Sequence, residues 1–263
     1  MAKRLPLGTR AFGAEPTLPD ITGLADWIAG HRGRFADITT YLLDQSLAPQ
    51  LSAGIGLPCA GGKFYTARMR QCLSGLEDDR AVEEIHVDTP ALIEDAAGIV
   101  VQRKGAWCAL PAPHLLGIAD DFCRDSDEWN LAITGAYRTI MRAMRDTGVA
   151  GHVLVAGCPP EDEIASLARQ KVFWFIPSPD RESLAAVLEH QRQVAVPPGR
   201  LETLFGLMNE YPVARIFVTD PDPGSIRRAL AHFDPDQVIA GGYCTSACGD
   251  YWKDLVSDAV YER

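Results

Sequence analysis

An apolar run and a proline-rich turn stand side by side in the stretch VFWFIPSPD, residues 172–180. Similar β-rich runs recur at regular intervals after Gly151, and they occupy residues 152–156, 172–176, 193–196, 215–219 and 237–240. Segments with helical hydrophobic periodicity separate them, at residues 161–169, 181–190, 200–210 and 224–232. This alternation of strand and helix predicts a parallel sheet with right-handed crossovers.

The predicted strands are apolar nearly throughout instead of alternating, which indicates that both faces of the sheet are covered. Proline or glycine follows most of them, as in the turns at residues 158–160, 197–199 and 241–242. These turns lie at the carboxyl ends of the strands, where α/β folds bind their ligands. We therefore expect any functional site at that end of the sheet.

The first half of the chain is less regular. Helices are predicted at residues 20–30, 35–51, 65–76 and 127–146, and strands at residues 5–9, 54–58 and 84–88. Residues 98–103 and 106–110 are interpreted as a hairpin around Lys104-Gly105. Eight or nine strands in all predict a (β/α)8 TIM-type barrel with an irregular N-terminal half and a hairpin insertion, built as one domain over residues 1–263. An open doubly wound sheet is the alternative.

Composition and charge exclude several classes of protein. Of the 263 residues, 47% are hydrophobic and 23% are charged, as in a globular protein that folds throughout. A formal net charge of −10 argues against a nucleic-acid partner. No apolar run approaches the roughly 20 residues that span a bilayer, and no signal-peptide core opens the chain. We expect a cytoplasmic protein that binds a small molecule and no membrane; the sequence leaves its oligomeric state open.

A glycine-rich segment at residues 56–63 resembles a phosphate-binding loop only superficially. Its spacing is one residue too long, and Phe64 stands where a serine or threonine would bind magnesium. We interpret the segment as a turn before a helix.

The segment IHVDTPALIE, residues 85–94, places Asp88 at the end of a predicted strand, just before Pro90. It resembles a strand of the cobalamin-independent methionine synthases and related uroporphyrinogen decarboxylase-like barrels, in which isoleucine-x-isoleucine-aspartate-glutamate-proline-alanine-leucine recurs. In that family the aspartate and glutamate help to hold the amino-acid substrate. The resemblance implies that Asp88 orients the substrate, whereas Thr89 departs from the pattern.

The resemblance also implies part of a zinc site. The family's next unit ends in a His-x-Cys pair of zinc ligands, which Cys158 matches in part, because Ala156 replaces the histidine. The nearest counterparts of the family's last zinc cysteine are Cys244 and Cys248. The family's glutamate ligand falls near Pro177 and is missing.

A metal site at these cysteines can also be argued from topology. Of seven cysteines, Cys158, Cys244 and Cys248 follow predicted strands, and such loops converge on one mouth of a barrel. Zinc binds thiolates in a tetrahedron and can leave one position for a substrate thiol. The alternatives are inert packing of reduced cysteines, or a local redox pair of Cys244 and Cys248.

Other polar side chains follow predicted strands. His114 lies in a proline-flanked loop. This loop either covers the barrel mouth or is a surface loop without a role in the site. Asp180, Asp220 and Asp222 each precede a helix, where an aspartate can act as an N-cap. Carboxylates at a barrel mouth can also bind substrate and transfer protons.

Together these features predict an enzyme that transfers a methyl or one-carbon group to a small thiol. Asp88 orients the substrate in this hypothesis, and Cys158, with Cys244 or Cys248, binds zinc and lowers the thiol pKa. One alternative is a decarboxylase or lyase without a metal, which uses Asp88 and basic side chains on a carboxylate-rich substrate. Another is a non-catalytic barrel that binds a ligand or a partner protein.

Overall fold

The computed structural model describes residues 4–31 and 36–262. Its strands are β1 (Arg4–Pro6), β2 (Gly8–Ala14), β3 (Cys59–Gly61), β4 (Leu73–Glu77), β5 (Arg80–Val87), β6 (Trp107–Pro111), β7 (Ala119–Asp120), β8 (His152–Val155), β9 (Val172–Phe175), β10 (Gln193–Val196), β11 (Arg215–Thr219), β12 (Val238–Cys244) and β13 (Val260–Glu262). Its helices are α1 (Ile21–Gly30), α2 (Ile38–Ala53), α3 (Thr66–Gln71), α4 (Pro90–Gln102), α5 (Ser126–Thr147), α6 (Glu161–Leu167), α7 (Arg181–His190), α8 (Leu201–Leu207), α9 (Pro223–Leu230) and α10 (Cys248–Asp258).

Eight of these strands enclose a barrel. They form two parallel four-stranded sheets, with orders β10-β11-β12-β2 and β3-β6-β8-β9. The sheets meet where Leu57, just before β3, accepts a hydrogen bond from the backbone of Ala11 and donates one to Thr9. The predicted (β/α)8 TIM-type barrel is therefore confirmed, and the open doubly wound sheet is excluded.

The side chain of Gln191 bridges the other boundary between the two sheets, where β9 lies beside β10. Its amide oxygen accepts from the backbone N–H of Trp174 at 3.0 Å, and its amide nitrogen donates to the carbonyl of Gln193 at 2.8 Å. A side-chain amide here satisfies backbone groups that a regular ladder would pair.

Aromatic rings fill the middle of the barrel. Phe12 of β2 stacks on Phe175 at 4.6 Å and on Phe173 at 5.1 Å between ring centroids, and it meets Phe217 edge-on at 5.5 Å. All four side chains are buried. The barrel interior is thus a packed core, and access for a ligand is from its ends.

The second half follows the predicted pattern closely. The strands predicted at residues 193–196 and 215–219 are β10 and β11, and the helix predicted at 181–190 is α7. The strand predicted at 237–240 is β12, which runs on to Cys244. Each of these strands pairs in parallel with its neighbour, as the crossover connections require.

The first half corrects several predictions. Residues 98–102 belong to α4, and residues 107–111 form β6, which pairs in parallel with β3 and β8; the predicted hairpin is therefore wrong. Gly105 has a φ of 78°, so the Lys104-Gly105 turn connects a helix to a barrel strand. The hairpin of this half is instead β4 with β5, an antiparallel pair that β7 extends into a separate three-stranded sheet.

Element boundaries also differ in the first half. The helix predicted at 65–76 ends at Gln71, where α3 gives way to β4, and the strand predicted at 54–58 lies further on, as β3. The helix predicted at 35–51 corresponds to α2, although residue 35 itself lies outside the described residues. Within residues 4–31 and 36–262, no helix has the length and hydrophobicity to cross a bilayer.

Candidate functional site

Glu15, directly after β2, links three strand ends at the barrel mouth. Its carboxylate accepts from the backbone N–H groups of Lys63 at 2.6 Å and Phe64 at 3.3 Å, and also from the hydroxyl of Tyr243 on β12. Burial, followed by the Glu15 charge, raises the pKa of Tyr243, so this hydroxyl stays protonated and donates. The result is a fixed carboxylate at the carboxyl ends of β2, β3 and β12.

Two glycines allow this close approach. Gly61 has a φ of 83°, and a Cβ there would collide with the carbonyl oxygen of Ala109 on β6. A Cβ on Gly62 would collide with the carbonyl oxygen of Ala14. Only glycine lets the backbone after β3 pass so close to its neighbours. The glycine-rich segment is a tight turn, as expected. The N–H groups of Lys63 and Phe64, which follow Gly62, donate to the carboxylate of Glu15.

Asp220 forms a second polar cluster at the mouth, after β11. Its φ of 47° lies in the left-handed region, which aspartate tolerates better than most side chains. The carboxylate accepts from the hydroxyl of Tyr251 on α10. Burial raises the pKa of Asp220, although this hydrogen bond opposes the rise. The Tyr251 hydroxyl also lies against the backbone of Gly242, next to Tyr243, since a Cβ on Gly242 would collide with it.

His114 and Glu163 form a third polar cluster, after β6 and β8. Glu163 accepts from His114 Nδ1 at 2.8 Å and from the His114 backbone N–H at 3.0 Å. Gly157 donates its N–H to His114 Nε2 at 3.3 Å. Because Nε2 accepts from Gly157, Nδ1 is the ring nitrogen that donates to Glu163. His114 thus links Gly157, in the loop before Cys158, to Glu163 in the first turn of α6.

The three cysteines expected to bind zinc do not form a metal site in this form of the protein. Cys244 and Cys248 are joined in a disulfide, with Cα atoms 5.7 Å apart, so neither sulfur is a thiolate ligand. Cys158 is exposed and follows β8, which lies four strands from β12 in the order around the barrel, on its opposite side. In the described part of the chain, no three His, Cys, Asp or Glu side chains are placed to hold a metal ion.

Asp88 is not at the end of a barrel strand. It follows β5, which belongs to the separate sheet with β4 and β7. Its backbone N–H donates to the carbonyl of Cys72 at 2.8 Å, and its side chain is exposed. Residues 85–94 therefore resemble the family motif in sequence, but the strand that precedes Asp88 is not part of the barrel.

Two of the predicted carboxylates are helix caps. Asp180 accepts from the backbone N–H of Ser183 at 2.8 Å at the start of α7, and the hydrogen bonds from Ser183 lower its pKa. Asp222 accepts in the same way from Ser225 at 2.8 Å at the start of α9. Asp220 does not cap α7 or α9. Its carboxylate instead contacts another side chain at the barrel mouth, that of Tyr251.

Sequence reasoning missed Glu15, Glu163, Tyr243 and Tyr251. Glu163 sits in the acidic run 161–163, which looks like an ordinary helix start. Tyr243 lies next to Cys244, and its contact with Glu15 spans 228 residues of sequence. A pattern of local spacing contains no signal for such a pair.

A cavity of about 250 Å³ adjoins the mouth, and His114, Trp129, Asn130 and Glu163 are among its lining residues. A larger cavity of about 630 Å³ lies outside the barrel, between α1, α2 and α4. Because ligands of (β/α)8 barrels bind at the carboxyl ends of the strands, the mouth is the candidate site, although the larger cavity is elsewhere.

No protein-family model and no curated protein matches the chain. Solved structures do match. A B12-independent methionine synthase from Shewanella sp. W3-18-1, determined in complex with selenomethionine, superimposes with a TM-score of 0.68 at 16% identity, over 97% of each chain. The chain has the fold of the methionine synthase-like barrels. A methyltransferase from Methanosarcina mazei matches over 97% of this chain and 93% of its own, with a TM-score of 0.59 at 10% identity.

A putative vitamin-B12 independent methionine synthase from Listeria monocytogenes matches with a TM-score of 0.53 at 15% identity, over 97% of this chain and 95% of its own. The resemblance to methionine synthase-like barrels, inferred from short motifs, is thus confirmed at the level of the fold over 97% of the chain. Identities of this size show a shared fold and leave the activity to be argued from the site.

Proposed function

We propose that this chain is a methyl or one-carbon transferase that acts on a small thiol bound at the carboxyl end of the barrel. The observation that carries the proposal is the structural match to a methionine synthase over 97% of both chains. That relative was determined with selenomethionine bound, so a small sulfur or selenium amino acid is the class of ligand to test here. The Methanosarcina mazei methyltransferase, with the same fold, supports the same class of reaction.

Asp220 is the residue that we assign to proton transfer. Burial raises the pKa of its carboxyl group, and a carboxylate with a raised pKa is a better proton acceptor. In the proposed step, the acceptor sulfur forms a bond to the methyl carbon while the bond from that carbon to the donor breaks. The electron pair of that bond leaves with the donor, and the thiol proton passes to Asp220.

Glu15 and Tyr251 have positioning roles in this proposal. Tyr251 donates to Asp220 and fixes the direction of the carboxylate. Glu15 offers a carboxylate, held by two backbone N–H groups, to the amino group of an amino-acid substrate. Zinc has no step here, because the disulfide withdraws Cys244 and Cys248, and Cys158 lies across the barrel from them.

The experiment measures binding of L-methionine and selenomethionine by calorimetry, and methyl transfer to small thiols with a panel of methyl donors. We expect Asp220→Asn to lower kcat by about 100-fold or more, the usual contribution of a positioned acid or base, with little change in ligand affinity. Asp222→Asn is the matched control, because asparagine caps a helix about as well as aspartate. Equal activity of the two variants contradicts the role of Asp220. Failure of every sulfur ligand to bind contradicts the proposed substrate class, and binding without turnover points to a ligand-binding barrel.

A further inference from the structure

The guanidinium of Arg10 is buried inside the barrel, where only 4% of the residue is exposed. Four aromatic rings surround it: Cζ lies 4.4 Å from the ring centre of Phe173, 4.7 Å from those of Trp107 and Phe217, and 5.2 Å from that of Phe12. Ring faces attract a cation, which offsets part of its desolvation. They do not neutralise its charge.

No carboxylate compensates this cation within the residues that the structure describes. Nη2 of Arg10 is buried and has no hydrogen-bond partner there. Burial lowers the pKa of Arg10 to about 10, so the side chain is still charged at neutral pH. The neighbouring thiol of Cys59 supplies no negative charge, because burial raises its pKa to about 12. An unpaired buried charge is costly, and proteins usually pair it.

A second arginine, Arg215, lies close enough to Arg10 for the two charges to interact. Its Nε is also buried, and it has no hydrogen-bond partner in the described part of the chain. Arg215 and Phe217 are two residues apart on β11, so their side chains point to the same face, and the Phe217 ring contacts Arg10. The charge of Arg215 lowers the pKa of Arg10 further, which shows that the two cations repel each other.

These two arginines are separate from the candidate active site. Arg215 is the first residue of β11, and Arg10 precedes Phe12 on β2, so both lie toward the amino end of the barrel. The stacked rings of Phe12 and Phe175 stand between them and Tyr243, whose ring centre is 5.6 Å from that of Phe175. A ligand at the arginines and a substrate at the mouth do not compete for the same atoms.

We propose that Arg10 and Arg215 bind a small oxyanion at the amino-terminal end of the barrel. A guanidinium presents planar N–H donors that match the oxygens of a carboxylate or a phosphate. Each arginine has a buried nitrogen without a partner among the described residues, and one anion between them would give both a partner and offset their repulsion. Inorganic phosphate and a simple carboxylate share this chemistry.

The experiment measures the thermal unfolding midpoint against increasing sodium phosphate, sodium acetate or sodium chloride, at constant pH and matched ionic strength. A ligand that binds only the native state raises the midpoint with concentration, according to its affinity. We expect phosphate or acetate, but not chloride, to raise the midpoint beyond the ionic-strength effect, and calorimetry to give one site. Phosphate acting without acetate identifies a phosphate site, and the reverse identifies a carboxylate site.

Three variants assign the effect. Arg10→Met and Arg215→Met should each weaken the anion affinity at least tenfold. Arg142→Met removes the same charge from an exposed side chain that pairs with Asp146, and it should keep the wild-type response. If Arg10→Met does not fold, Arg215→Met decides, because that side chain is half-buried. Equal curves in all three salts, or an unchanged anion response in Arg215→Met, would overturn the proposal.

Discussion

The two halves of this barrel are held together in different ways. After Gly151, each barrel strand is followed by a turn and a helix, and two of these helices have local caps: Asp180 accepts from Ser183, and Asp222 accepts from Ser225. Before Gly151, Asp37 also caps its own helix, through Thr40, but its second carboxylate oxygen pairs with Arg68 at 2.7 Å. The first half therefore depends on contacts between residues that are far apart in sequence.

The centre of those contacts is a buried polar network under α2, α3 and α4. Asp95 accepts from Arg68 Nε at 2.8 Å and from the Tyr65 hydroxyl at 2.7 Å, and the Asp95 and Arg68 side chains are fully buried. Within the barrel, by contrast, the second half contributes almost entirely apolar strands. The difference implies that removing one buried polar side chain from the first half should lower the free energy of unfolding more than removing a helix cap from the second.

The largest effect should come from Asp95→Ala. Removing one partner of a buried ion pair leaves the other charge uncompensated, which costs about 3–5 kcal/mol. Urea unfolding should show a loss of this size, whereas Glu94→Ala, next to it on α4 and exposed, should have little effect. Similar losses for the two variants would mean that this network does not hold the first half together.

The same contrast explains which parts of the fold the sequence could predict. Strands β9, β10 and β11 are short apolar runs between turns, and one such run is sufficient to recognise each. Lys104-Gly105 is a typical two-residue turn, and for that reason the sequence predicts a hairpin at residues 98–103 and 106–110. That turn ends α4 instead, since the apolar face of the helix, with Leu92 and Ile99, extends to the turn and packs in the core.

The candidate site was predictable only in part, for the same reason. Asp220 and His114 follow barrel strands, and their positions in the sequence indicate the mouth. Asp88 follows a strand too, but pairing decides whether a strand enters the barrel, and β5 pairs with β4 and β7. Cys158 follows a barrel strand and Cys244 ends one, but the sequence does not show how far apart two strands lie around the barrel. The structure places β8 opposite β12.

His152, at the start of β8, is an exception to the apolar character of the second half. It is fully buried, and neither ring nitrogen has a hydrogen-bond partner among the described residues. Burial, together with the nearby charge of Arg145, lowers the pKa of His152 to about 3. The imidazole is therefore neutral in the folded protein through the whole mildly acidic range.

This histidine should make the protein less stable as the pH falls. An unfolded histidine binds a proton below about pH 6.5, while the folded form stays neutral until about pH 3, so protonation favours the unfolded state in between. The free energy of unfolding should fall by up to about 1.4 kcal/mol per pH unit from this group. Urea unfolding at pH 7, 6 and 5 should give a shallower pH dependence for His152→Leu than for the wild type.

The exposed His190, at the end of α7, provides the control for that measurement. His190→Gln should keep the wild-type pH dependence, because this side chain is exposed and lies outside the core. If the free energy of unfolding of His152→Leu and His190→Gln had the same pH dependence, protonation of His152 would not limit stability. The protonated ring would then have to form a hydrogen bond in the folded protein at acidic pH.

The smallest effect should come from Asp222→Ala, which tests the local character of the second half. Asp222 accepts from the N–H groups of Gly224 at 2.7 Å and Ser225 at 2.8 Å, and the Ser225 hydroxyl completes the capping box. Losing such a cap costs about 1 kcal/mol, and asparagine should restore most of it. Urea unfolding of the alanine and asparagine variants measures both. Because the helix is bound to the sheet by Ile226 and Ala229, which remain buried, the fold should persist. A loss as large as that of Asp95→Ala, not restored by asparagine, would show that Asp222 holds more than its own helix, and the contrast between the halves would fail.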